Sequence, residues 1–118
     1  MATPLPWFPF YVSDYQGDET VRRLTLEERG IFVELLCHQW REDSVPDDLR
    51  DLARMVGLER PTRALRRVVS ACFIPNGKVG RLVNRRLAEE FVKQAGRSQK
   101  SSERWARWYT RRKQTDKP

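Results

Sequence analysis

The 118-residue sequence is poor in the residue types that build disulfide scaffolds, metal sites and membrane spans. It contains two cysteines, Cys37 and Cys72, and one histidine, so neither a disulfide framework nor a zinc site of clustered ligands is expected. Its longest apolar run, Ile31 to Cys37, is interrupted by Glu34 and is far shorter than the roughly 20 residues of a transmembrane helix. The first residues have neither the basic nor the apolar region of a secretory signal. We therefore expect a soluble, cytoplasmic protein without a membrane association, a metal or another cofactor.

Motifs for catalysis are also missing. The sequence has no glycine-rich phosphate loop, and no nucleophile signature surrounds its Ser, His or Cys residues. Asp14, Asp18 and Glu19 form an acidic cluster, but their position after an aromatic segment favours a solvated loop over a divalent-metal site. We therefore expect no enzymatic activity.

Charge is distributed unevenly along the chain, whose net charge is +7. Residues 1–59 contain 6 basic and 12 acidic side chains, whereas residues 60–118 contain 17 basic and 4 acidic ones. A basic half attached to an acidic half is typical of a protein that binds a polyanion through one face. This asymmetry favours nucleic acid as a partner.

The first 20 residues are rich in proline and aromatic residues. Pro4, Pro6 and Pro9 disfavour a helix before Val12, so we expect an extended aromatic arm over residues 1–20. Its five aromatic side chains need burial against the rest of the domain or against a partner.

A strong helix-start signal follows the arm. Thr25 and Glu28 have the spacing of a capping box, and the helix after them is predicted to extend to about Glu42. Apolar residues cover most of its circumference, which predicts burial on several sides. His38 is expected on its narrow polar stripe rather than as a catalytic base.

Two shorter helices joined by a tight turn are predicted next. Asp47 or Asp48 can cap the first, which ends at Gly57. Pro61 is favoured as the first residue of the second, which extends to Cys72. A helix, a short glycine-containing turn and a helix with a basic outer face indicate a helix-turn-helix.

A β-hairpin is predicted directly after the third helix. Asn76 and Gly77 supply the two positive φ angles of a type I′ turn, and Pro75 must then face an unpaired sheet edge. Val45 can add a third short strand. A hairpin in this position is the wing of a winged helix, so we predict a mainly α fold with a small β-hairpin wing, a winged helix-turn-helix, over residues 21–95.

The chain after the wing returns to a helical pattern and then becomes strongly basic. Leu87, Ala88, Phe91 and Ala95 have helical spacing. Residues 96–118 form a basic aromatic C-terminal tail, which begins with a polar break and is expected to be partly helical.

Three basic features favour binding to duplex DNA: the third helix, the wing and the tail. The arginine fork can hold two acceptors on guanine or bind phosphate, and interleaved aromatic residues suit base stacking. The predicted DNA-binding residues are Arg60, Arg63, Arg66, Arg67, Lys78, Arg81, Arg85, Arg86, Arg104, Arg107 and Arg111. The candidates for stacking or for contact with a partner are Trp7, Phe8, Trp105, Trp108 and Tyr109.

Several runs of residues resemble a known family. They are Pro6–Asp14, Leu24–Glu28, Val45–Asp48 and Val83–Leu87. Over about residues 5–95 the sequence is similar to the uncharacterised phage and prophage proteins typified by YdaU of the Rac prophage. The resemblance implies a phage or prophage origin and a winged-helix DNA-binding protein that acts as a replication initiator or replisome organiser. It implies no catalytic residues.

The expected function is therefore DNA binding in the initiation or regulation of phage DNA replication. One alternative is an adaptor that binds a second copy, or a host or phage replication protein, without contacting DNA. Another is a small phage transcription regulator, which would use the same DNA chemistry at a different site.

Overall fold

The structure is a computed structural model that describes residues 5–96. This part of the chain is mainly helical and contains a small three-stranded antiparallel sheet. Its elements are α1 (Val12–Gly17), α2 (Glu19–Arg23), α3 (Leu26–Glu42), β1 (Val45–Pro46), α4 (Leu49–Met55), α5 (Arg63–Cys72), β2 (Ile74–Pro75), β3 (Arg81–Val83) and α6 (residues 85–96).

The extended part of the arm is shorter than predicted. Residues 5–11 are not helical, but α1 begins at Val12, inside the segment expected to be extended to residue 20. No proline follows Pro9 in this segment, so nothing prevents helical backbone there. The side chain of Asp18 then accepts hydrogen bonds from the backbone N–H groups of Thr20 and Val21 and starts α2. The acidic cluster is therefore part of two short helices and not a solvated loop.

The capping box at the start of α3 is confirmed. The backbone N–H of Glu28 donates to Thr25 Oγ1 at 3.1 Å, and the backbone N–H of Thr25 donates to Glu28 Oε1 at 2.8 Å. The prediction that this helix is buried on several sides is wrong, because Val33 and Cys37 are exposed. The buried face of α3 also includes a polar residue, Gln39, which exchanges two hydrogen bonds with the backbone of Asn84.

The next two helices begin with side-chain caps. Asp48 accepts from the backbone N–H groups of Arg50 and Asp51, as expected for one of the two predicted caps. Gly57 follows α4 with φ +86°, in the left-handed region that favours glycine. The predicted start of α5 at Pro61 is two residues early: Thr62 Oγ1 accepts from the N–H of Leu65, so the helix begins at Arg63.

The sheet has the order β1-β3-β2, and Val45 lies opposite Leu82. The predicted third strand and the position of Pro75 in an edge strand are therefore confirmed. The prediction of a type I′ turn is wrong, because Asn76 does not have a positive φ. Five residues, 76–80, connect β2 to β3, and Asn76 Oδ1 accepts the N–H of Lys78, an Asx-type turn that competes with the two-residue turn.

The core lies where α3, α4, α5 and the sheet meet. Its most completely buried side chains are Leu35, Val45, Leu52, Leu65 and Val68. Burial of these side chains orients α5, because Leu65 and Val68 fix which side of that helix faces inward. The opposite side of α5 is therefore presented to solvent.

Candidate nucleic-acid interface

The outer side of α5 is basic. Arg63, Arg66 and Arg67 are exposed on it, and the helix contains no acidic residue. Arg60, the first of the predicted DNA-binding residues, lies in the turn before α5 and not on that helix.

Arg67 is used within the fold. Its Nε lies 3.3 Å from Oε2 of Glu28, a carboxylate whose side chain is 4% exposed, and its Nη2 donates to the backbone oxygen of Arg23 at 3.1 Å. The pKa of Glu28 is lowered, mainly by the hydrogen bond from the backbone N–H of Thr25, with the positive charge of Arg67 contributing and burial opposing. Arg67 therefore fastens α5 to the start of α3.

Arg60, Arg63 and Arg66 have no such role. Within residues 5–96 none of their side chains forms a hydrogen bond or an ion pair, and all three are exposed, although the charge of Arg63 helps to lower the pKa of Glu28. Lys78, in the loop between β2 and β3, is exposed and equally without a charged partner in the described part of the chain. These four cations are available to an anionic ligand.

Arg81, another predicted DNA-binding residue, is bonded within the fold. Its Nε donates to Ser44 Oγ at 2.8 Å and its Nη2 donates to the Ser44 carbonyl oxygen at 2.9 Å. The guanidinium thus ties β3 to the residue before β1, because these two strands are neighbours. Arg81 is a structural contact and not part of the candidate interface.

The two arginines that follow β3, Arg85 and Arg86, have carboxylate partners. Arg85 lies 3.3 Å from Glu89 one turn along α6. Arg86 lies 2.9 Å from Asp14 and 4.0 Å from Asp18, which links α6 to α1 and α2. Both arginines form their pairs at the surface, so these pairs are weak.

The two arm candidates have different environments. Phe8 packs against Trp40 with a centroid distance of 5.3 Å, and Phe91 of α6 packs on Trp40 at 5.2 Å. Trp40 Nε1 donates to the Leu5 carbonyl oxygen at 2.7 Å. Phe8 therefore attaches the arm to the domain, whereas Trp7 is 58% exposed.

The tail candidates lie outside the described residues. They are Arg104, Trp105, Arg107, Trp108, Tyr109 and Arg111.

One feature missed by the sequence analysis is an open groove between the arm and α6, with a volume of about 480 Å³. Tyr11 Oη donates to Glu90 Oε1 across it at 3.2 Å. The helical spacing of Arg86, Glu89, Glu90 and Lys93 was visible in the sequence, but the position of the arm beside them was not.

Other kinds of site find no support among the described residues. His38 Nε2 lies 2.9 Å from the Met55 carbonyl oxygen, so it links α3 to α4. In the part of the chain described, no group of three or more His, Cys, Asp or Glu side chains is placed to hold a metal ion. None of the helices between residues 5 and 96 is long and apolar enough to cross a membrane.

Comparison with known proteins identifies the family of the chain. No curated protein and no solved structure matches it. A family model described as a protein of unknown function, DUF1376, matches residues 6–91, from the arm into α6. The chain therefore belongs to the DUF1376 family of proteins of unknown function.

Proposed function

We propose that the protein binds duplex DNA through α5 and the β2–β3 hairpin, as a winged helix-turn-helix protein in the initiation or regulation of phage DNA replication. The order α3, β1, α4, α5, β2, β3 supports the winged-helix part, since two helices joined by a short turn precede a hairpin whose sheet includes β1. In a helix-turn-helix the second of the two joined helices enters the major groove, and α5 has that position. The phage and replication part is supported by the resemblance to phage and prophage proteins.

The observation that carries the proposal is the division of the basic side chains into two groups. The side chains of Arg67, Arg81 and Arg86 are bonded within the fold. In the described part of the chain the side chains of Arg63 and Arg66 on α5 form no hydrogen bond and no ion pair, and Arg63 acts on Glu28 only through its charge. A cation that does not stabilise the fold and has no acidic neighbour on its own helix remains free to bind phosphate or a guanine edge. The candidate recognition helix is where such cations lie.

The charge of the rest of the molecule shapes the expected affinity. Residues 5–96 contain 15 basic and 14 acidic side chains, so their net charge is only +1. Residues 97–118 add eight basic and two acidic side chains. Attraction to DNA therefore depends on the local basic face of α5 and on the tail, and it should fall steeply with salt.

The test compares two double variants of equal charge. Arg63→Ala/Arg66→Ala removes the exposed pair of α5, and Arg23→Ala/Arg41→Ala removes two arginines from α2 and α3. Binding to a fluorescent duplex is measured by anisotropy at low salt. The α5 variant is expected to bind at least about tenfold more weakly, because one lost arginine–base contact alone is worth roughly 1–3 kcal/mol.

The control variant should lose much less affinity, since it lowers the overall charge by the same amount and leaves the arginines of α5 in place. It also removes the exposed Arg23–Glu19 pair, which is weak. Equal losses in the two variants would show that net charge, rather than α5, determines binding. No loss in either would place the contact outside α5.

A protein-interaction role is a second candidate, supported by the arm. Trp7, Phe10 and Val12 are 58%, 47% and 56% exposed, which is a short run of apolar side chains near one end of the molecule. Such a surface suits a second copy or a replication protein. A Trp7→Ser variant would then lose its partner but keep DNA affinity. A transcription regulator would use the same α5 surface and differ in the DNA site, which site selection would reveal.

A further inference from the structure

The groove between the arm and α6 has an aromatic side and a charged side. Phe10 and Tyr15 pack together on the arm side with a centroid distance of 5.0 Å, and Arg22 lies 5.2 Å from the centre of the Tyr15 ring. Carboxylates of α1, α2 and α6 line the other parts of the groove. The Tyr15 ring thus contacts an aromatic side chain in the groove and a guanidinium, that of Arg22, which does not itself line the groove.

The groove is acidic overall. Its four carboxylates are Asp14, Asp18, Glu89 and Glu90, whereas its two cations are Arg86 and Lys93. Arg86 is already neutralised by its pairing with Asp14 and Asp18. Both glutamates of α6 already have contacts: Glu89 forms an exposed pair with Arg85, and Glu90 accepts from Tyr11 and Gln94. An incoming cation would add to these contacts or exchange with the exposed pair, which is weak.

We propose that the C-terminal segment of the same chain, residues 97–118, folds back along α6 and occupies this groove. The segment has eight basic and two acidic side chains, which complements the acidic groove, and it contains Trp105, Trp108 and Tyr109. Aromatic side chains pair favourably with the exposed rings of the arm, and arginines pair with the carboxylates.

The geometry of the chain allows this return. The segment starts directly after residue 96, and residues 86–96 of α6 rise about 15 Å along the helix. The polar residues 97–103 can span roughly 23 Å when extended, which is enough to reverse direction.

Docking of this segment has a regulatory consequence. Its arginines would be held against Glu89 and Glu90, so they would be withdrawn from any other anionic ligand until salt or a competing polyanion releases them. The docking itself is a property of the folded chain and does not rest on the proposed DNA binding.

The test places a photo-crosslinking residue in the full chain. Trp105→p-benzoylphenylalanine is irradiated at low salt, and the crosslinked peptides are identified by mass spectrometry. We expect crosslinks to residues 8–18 or 86–93 in monomer-sized protein. Crosslinks elsewhere in the chain would overturn the proposal, and so would crosslinks found in dimer-sized protein alone, which would make a second copy the occupant.

Variants of the groove charges test whether attraction between opposite charges determines the crosslink yield. Glu89→Lys should lower the crosslink yield about threefold, the size expected for an exposed ion pair, and Lys93→Glu should raise it. Glu34→Lys, on the exposed side of α3 outside the groove, should change nothing. A decrease in both groove variants would contradict charge-directed docking and overturn the proposal, since the opposite changes must act in opposite directions.

Discussion

Replacing Trp40 by phenylalanine should weaken the attachment of the N-terminal arm to the rest of the domain. Its indole N–H donates to the Leu5 carbonyl oxygen, and its ring packs between Phe8 and Phe91. Loss of the hydrogen bond costs about 1 kcal/mol, and the smaller buried ring costs about 1 kcal/mol more. The free energy of unfolding should therefore fall by about 2 kcal/mol, which corresponds to a decrease of roughly 10 °C in Tm for a domain of this size.

The measurement is urea unfolding followed by circular dichroism, with Trp7→Phe as the matched control. Trp7 is 58% exposed, so the same chemical change there should alter the free energy of unfolding by less than about 0.5 kcal/mol. Equal stabilities of the two variants would refute the assignment of Trp40 as the anchor of the arm.

Three further predictions concern single groups. Arg67→Ala should lower Tm, because it leaves the buried carboxylate of Glu28 without its cation. Arg66→Ala should leave Tm unchanged, and thermal scans of both variants test the difference. The pKa of Glu28 is lowered below 4.5, so its stabilising contribution is complete above about pH 4.5 and is lost as the pH falls through the folded-state value. Glu28→Gln should therefore flatten the acid side of the stability profile, and an unchanged profile would contradict the assignment. Burial raises the pKa of the Cys72 thiol to about 11, and Cys72 is half-buried, whereas Cys37 is exposed. At pH 8 a thiol reagent should therefore modify Cys37 first and Cys72 much more slowly, as mass spectrometry of partly labelled protein would show.

Features decided by neighbouring residues could be predicted from the sequence. The capping box of Thr25 and Glu28, the cap at Asp48 and the positive φ of Gly57 are each confirmed. These motifs depend on atoms within three or four residues, so the sequence contains all the information that they need. The mainly helical fold with a small sheet followed from placing them in order.

Predictions from local sequence patterns were wrong where the same residues suit two local conformations. Asn76 and Gly77 suit a two-residue turn, but the Asn76 side chain bonds to the N–H of Lys78 and a five-residue loop results. Similarly, Pro61 suits the first position of a helix, but the Thr62 side chain caps α5, which therefore begins at Arg63. The energy differences between such alternatives are small, and packing decides them.

Which residues belong to the candidate interface depends on contacts between residues that are far apart in the sequence. Arg81 bonds to Ser44, 37 residues away, and Arg86 bonds to Asp14, 72 residues away. A basic stretch is visible in the sequence, but the sequence alone does not distinguish the arginines whose side chains are bonded within the fold from Arg63 and Arg66, whose side chains are not. That separation required the tertiary structure.

The most direct test of the proposed function is duplex DNA binding by the full chain over a salt series. With about five neutralised phosphates, log affinity should fall with log salt at a slope of about −4 to −5. The Arg63→Ala/Arg66→Ala variant should reduce the magnitude of that slope by about 2. Absence of binding at low salt, or an unchanged slope in the variant, would contradict a DNA interface on α5.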